Sequence, residues 1–207
     1  MITSLDQLDF DKTYSYADYL TWKFDEFVEL IKGKIFPMSA PNRMHQELSL
    51  RFSGLLFNYL QENQRGCKVY PAPFDVRLLK NPSLTEKQLE GKTDKEIYTV
   101  VQPDLSIICD LEKLDDRGCK GSPNLIIEIL SSNAKRDVKD KFELYEENGV
   151  QEYWLVRPTE KTIQQFFLEN VKGIEKYVYQ KTFVENEHIT SVYLPDLTMD
   201  LDIIFAD

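Results

Sequence analysis

Histidine, cysteine and glycine are scarce in this 207-residue chain, at 2, 3 and 8 copies. His45 and His188 are too few for a histidine-rich metal centre. Cys67, Cys109 and Cys119 are too few and too scattered for a disulfide framework, and none falls in a C-x-x-C pair that would hold zinc. A reducing cytoplasm is the simplest home for such usage. No G-x-G-x-x-G follows a strand, and there is no G-x-x-x-x-G-K-[ST] loop or G-x-S-x-G elbow, so dinucleotide-binding, P-loop and serine-hydrolase readings lack support. Also missing is any run of about 18 apolar residues, so no transmembrane helix is expected. The first twelve residues carry Asp6, Asp9 and Asp11 rather than a basic start and an apolar run, which argues against a secretory signal.

What remains is ordinary globular composition, 42% hydrophobic and 29% charged. The expectation is a loose segment over 1–13 and one domain over 14–207, with a β-rich extension over 160–207. The net charge of −10 weighs against tight nucleic-acid binding, because a protein that grips duplex DNA usually shows a basic footprint. A local basic groove can coexist with it, and a metal site itself needs carboxylates.

Residue spacing predicts the elements. Ser15 to Lys23 reads as a short helix with Ser15 as cap and Asp18 three residues on. Phe27 to Met38 reads as a hairpin turning at Lys32-Gly33. Met44, Leu48, Phe52, Leu55, Leu56, Tyr59 and Leu60 recur at helical spacing over Asn42 to Glu62, ended by Arg65-Gly66. Val69 to Leu79 alternates as a strand, in which Asp75 and Arg77 share a face and can pair. Lys80 to Glu96 is a charged excursion where Ser83 can cap a helical turn. Thr99 to Cys109 and Asn124 to Leu130 are apolar runs suited to central strands, with a polar loop from Asp110 to Ser122 between them. Lys135 to Asn148 reads as a helix closed by Gly149, and Glu152 to Val156 as a strand. From Lys161 onward the pattern is of hairpins around Lys172-Gly173 and Asn186. Together these predict an α/β (α+β) fold.

Two acids interrupt the apolar runs: Asp104 in one and Glu128 in the other. A carboxylate in a central strand is costly unless paired, hydrogen-bonded or metal-bound, and two on neighbouring strands repel unless a cation lies between them. Mg²⁺ or Mn²⁺ resolves the conflict with oxygen ligands. The helix after Glu128 supplies Lys139 and Lys141, either of which can lean back to orient a water for phosphodiester hydrolysis. Each residue also has a plainer role. Asp104 can bond a neighbouring turn, helical lysines usually face water, Glu29 can face solvent from its hairpin, and His45 can cap its helix as readily as contact phosphate or support the site.

The order of several short motifs resembles the Uma-type family of bacterial putative restriction endonucleases, within the PD-(D/E)XK nuclease superfamily. The motifs are Glu29-Leu30-Ile31-Lys32-Gly33, Pro41-x-x-x-His45-Gln46, Pro71-Ala72-Pro73-Phe74-Asp75-Val76-Arg77 and Pro103-Asp104. They continue with Glu128-Ile129-Leu130-Ser131, Asp137-x-x-x-Lys141-x-x-x-Tyr145 and Gly149-Val150-x-Glu152-Tyr153-Trp154. The resemblance runs from about Tyr16 to Pro158. It implies a restriction-endonuclease-like core, a mixed sheet flanked by helices, with Asp104 and Glu128 as metal ligands and Glu29 as a further acid near the site. The superfamily lysine stands two residues after the second acid, where this chain has Leu130, and the family's displaced lysine corresponds to Lys141. The expected activity is Mg²⁺- or Mn²⁺-dependent cleavage of DNA, and the competing reading is an inactive nuclease fold that binds nucleic acid or protein. Edge strands within Ile163 to Phe205 make a homodimer the expected assembly.

Overall fold

The computed structural model describes residues 2–63, 66–79, 91–131 and 135–206, with 135–137 as helical backbone only. The helical turn expected at Ser83 and the stop expected at Arg65 lie outside the described residues. The chain divides into two compact units: Met1–Ala40 with Phe74–Gln102 and Leu114–Ser122, and Pro41–Pro73 with Pro103–Lys113 and Pro123–Asp207.

The first unit begins with a 3₁₀ turn at Leu5–Gln7 and helix α1 (Tyr16–Tyr19). The expected Ser15–Asp18 capping box is present, but the helix stops after four residues. The opening residues, expected to be loose, are packed. Leu8 is buried with Tyr14, Tyr16, Trp22 and Leu30, and Ile2 and Leu5 pack against that cluster. Strands β1 (Val28–Ile31) and β2 (Lys34–Pro37) form the expected hairpin. Its turn puts Lys32 at φ 51° and Gly33 at φ 79°, the left-handed pair that suits a two-residue hairpin.

Strands β4 (Val76–Leu78), β5 (Thr99–Val101), β7 (Leu114–Asp115) and β8 (Gly118–Lys120) complete this unit's sheet, in the order β2-β1-β5-β4-β8-β7. The last two run through what composition marked as a loop. Gly118 is required there, because at φ 126° a Cβ would fall on the carbonyl oxygen of Asp75. Arg77, fully buried, pairs with Asp115 at 2.6 Å rather than with its strand neighbour Asp75. Asp75 instead accepts from Gln102 and from the Tyr16 and Tyr19 hydroxyls.

The second unit holds the long helix α2 (Arg43–Glu62), capped by the Asn42 side chain on the His45 N–H. Its sheet consists of β3 (Lys68–Pro71), β6 (Leu105–Ile108), β9 (Leu125–Ile129), β10 (Glu152–Arg157), β11 (Thr162–Val171) and β12 (Ile174–Val184). Their order is β12-β11-β10-β9-β6-β3, mixed because β9 and β10 run parallel. That parallel step is made by helix α3 (Lys135–Asn148), which ends at Gly149 with φ 76°. A small pair, β13 (His188–Thr190) with β14 (Thr198–Asp200), and the short α4 (Leu201–Ile204) close the chain.

Period-two alternation sorts β6 and β9. Leu105, Ile107, Leu125, Ile127 and Ile129 share one buried cluster with Leu48, Phe52, Leu56 and Leu60 of α2. Truncating any of these leucines to alanine would cost about 2–5 kcal/mol. The intervening positions, Glu128 among them, belong to the other face. Cys67 and Cys109 flank the β3–β6 ladder directly opposite each other, and they are joined by a disulfide. A sequence separation of 42 gave no hint of that pairing. Among the described residues no helix is long and apolar enough to cross a membrane.

Candidate active site

Strand register sets the two acids together. In the antiparallel β6–β9 pair, Leu105 lies opposite Ile127, so stepping one residue outward brings Asp104 opposite Glu128. The contact is closed by Asp104 itself, whose Oδ2 accepts the Ile129 backbone N–H at 2.6 Å. Asp104 follows Pro103 in a bend before β6, where its carboxylate reaches across to the neighbouring strand.

Helix α3 brings two side chains to Glu128. Lys141 and Tyr145 stand four residues apart, roughly one helical turn, and so project from the same face. Both reach one oxygen of Glu128: the Lys141 ammonium at 3.1 Å and the Tyr145 hydroxyl at 2.6 Å. The two lysines that sequence alone could not separate diverge here. The Lys141 side chain is 14% exposed, whereas Lys139 is 78% exposed and lies 3.7 Å from Glu143 on its own helix.

His45, in the first turn of α2, places Nε2 3.0 Å from Asp104 Oδ1, while its Nδ1 is buried without a hydrogen-bond partner. One ring nitrogen thus engages Asp104 and the other is enclosed. Burial alone would lower its pKa, but the hydrogen bond to Asp104 and the charges of Asp104 and Glu128 raise it above 6.5. Burial first, then the charge of Glu128, pushes the nearby Tyr153 phenol well above its usual range, so it stays protonated. Asp104, Glu128, Lys141 and His45 are thus gathered within the second unit. Glu29 belongs to the first, where it is buried and its Oε1 accepts the Gln102 backbone N–H at 2.8 Å. Tyr145 appeared in a motif but drew no role from sequence. The signal was its spacing, four residues after Lys141.

The donor set fits a hard divalent cation. It offers the carboxylates of Glu128 on β9 and of Asp104 in the bend before β6, and among the described residues no group of three or more His, Cys, Asp or Glu forms a ready cage. Mg²⁺ is commonly held in this sparse way, by one or two carboxylates with waters completing the shell.

The fold is a mixed sheet with a helical lysine beside Glu128, and its structural match is to a nuclease fold. It aligns with the crystal structure of a protein described as a putative nuclease of DUF820 from Anabaena variabilis, with a TM-score of 0.64 and 17% identity. The alignment covers 93% of this chain and 98% of that one. The chain belongs to the Uma2 family, described as putative restriction endonucleases, whose family model matches residues 16–202. It is also 27% identical over 149 residues to an uncharacterized protein of Synechocystis sp., covering 70% of this chain and 69% of the relative.

Proposed function

We propose that the protein is a divalent-metal-dependent endonuclease that hydrolyses phosphodiester bonds in DNA. The observation that carries this reading is the set of partners around the acid pair: Asp104 opposite Glu128 across the β6–β9 ladder, with the Lys141 ammonium 3.1 Å from Glu128. Asp104 and Glu128 hold the cation. When bound, a cation of this kind polarises the phosphoryl oxygen and favours in-line attack. Lys141 orients the attacking water and offsets the charge that develops on the phosphate. His45 and the Ile129 N–H keep Asp104 in place. The homodimer belongs to the same reading, since β12 is an 11-residue sheet edge with Ile174, Tyr179 and Val184 exposed. Sedimentation at micromolar concentration showing only monomer removes that part.

The test is incubation with supercoiled plasmid and with single-stranded DNA in Mg²⁺, Mn²⁺ or chelator, for wild type, Asp104→Ala and Lys141→Ala. Cleavage that needs metal and vanishes in both variants is expected. Cleavage that survives Lys141→Ala would take the water-orienting role from that residue. A folded protein that neither cleaves nor binds metal would instead be a binding module on a nuclease fold, the reading that its net charge of −10 favours.

A further inference from the structure

We infer that Tyr145 is a positioning residue of the catalytic site, which fixes the Glu128 carboxylate and thereby the place of the Lys141 ammonium. The inference rests on the nuclease reading above. It starts from a cost: Tyr145 is fully buried, and a buried site that needed only an aromatic ring would be filled more cheaply by phenylalanine. A buried tyrosine hydroxyl must find a partner, and this one donates to Glu128 Oε1 at 2.6 Å. The ring is held in turn by Tyr153, edge-on with centroids 5.4 Å apart, so the hydroxyl has little freedom to follow the carboxylate.

The two acids are then held in the same way. Asp104 has one short bond from a neutral, immobile donor, the Ile129 N–H at 2.6 Å, and one longer contact with His45 at 3.0 Å. Glu128 has the Tyr145 hydroxyl at 2.6 Å and the longer contact with Lys141 at 3.1 Å. Asp104 draws its fixed donor from the backbone, while Glu128 draws its own from a helix. The displaced lysine explains why this matters. A lysine on the strand itself would be placed by the ladder, but Lys141 arrives from α3 on a flexible four-carbon stem. It needs its target oxygen held still, and Tyr145 does that from the same helix, one turn further on. Partners that orient a metal's ligands typically contribute 10- to 100-fold in metal affinity or activity.

The test measures Mn²⁺ affinity by calorimetry and plasmid cleavage for the wild type, Tyr145→Phe and Lys141→Met. Tyr145→Phe, which deletes a single oxygen, is expected to weaken Mn²⁺ binding about tenfold or more and to lower kcat with little change in KM. Lys141→Met leaves the phenol in place and is expected to bind Mn²⁺ as well as or better than the wild type while losing cleavage. A tyrosine with only a packing role would lower the melting temperature and leave the Mn²⁺ Kd of the folded protein alone, which overturns the inference. A tenfold loss of Mn²⁺ affinity in Lys141→Met would also overturn it, by making the lysine the holder of Glu128, and this arm stands even if Tyr145→Phe folds poorly. A wild type that binds no Mn²⁺ brings down the metal-nuclease reading and this inference with it. A wild type that binds Mn²⁺, with Tyr145→Phe matching it, brings down the inference alone.

Discussion

Glu128 and Glu152 lie on neighbouring parallel strands of one sheet, Glu128 beside Leu155 and Glu152 beside Leu125, and both are buried. Their surroundings differ in kind. Glu152 accepts from the Trp154 indole, the Gln165 amide, the Ser191 hydroxyl and the backbone N–H groups of Val192 and Tyr193, at 2.6–3.2 Å. All five donors are neutral, and they tie the start of β10 to β11 and to the chain between β13 and β14. Glu128 meets an ammonium and a phenol on one oxygen and faces a second acid across the ladder. Burial alone therefore does not mark a catalytic carboxylate. A ring of neutral donors suits a joint, whereas a cation beside a like-charged neighbour suits the proposed site.

The sharpest way to break that contrast is to truncate each acid. Glu128→Ala should lower metal-dependent cleavage by about three orders of magnitude, since several kcal/mol of transition-state stabilisation ride on the metal. Glu152→Ala should instead cost at least about 3 kcal/mol of stability in chemical denaturation, because five donors, three of them buried, lose their acceptor. An unstable Glu128→Ala and a stable Glu152→Ala would reverse the assignment. A smaller effect, about 1.5 kcal/mol, is expected for Ser191→Ala, which removes one donor of the five.

The smallest expected effect concerns pH. The His45 pKa is raised in the folded protein. Its contribution to stability is therefore complete below the unfolded value near 6.5 and is lost as pH rises through the folded value. Denaturation of metal-free protein from about pH 6 to about pH 8 should show the wild type losing more stability than His45→Gln. Parallel curves would detach His45 from Asp104.

Elements whose signal is local were legible in the sequence. The cap at Asn42 and the apolar stripe of α2 locate that helix within a residue, and Lys32-Gly33 and Lys172-Gly173 mark their turns. Glu128 and Asp104 stood out because a charge inside an apolar run is costly. What was hidden depended on which partners the strands choose. Thr99 to Cys109 reads as one run, yet Gln102-Pro103 divides it into β5 and β6 in different sheets. A proline has no N–H with which to continue a ladder, but nothing local says where the next strand will pair. Val69 to Leu79 splits likewise around Pro71 and Pro73. Resemblance alone separates Lys141 from Lys139 in the sequence, and their different exposure emerges only once α3 is seated beside Glu128.

The single-residue step that sets Asp104 against Glu128 also limits how this stretch of chain can change length. Deleting or inserting one residue in β6 or β9 would turn every side chain beyond it to the opposite face, sending a carboxylate into the leucine and isoleucine layer under α2. Such a change would damage folding and chemistry together. A change of two residues would keep the faces and only move the acids along the ladder. Viable descendants of this chain are therefore expected to gain or lose residues here in pairs, and to vary freely in odd numbers only in the turns outside these strands.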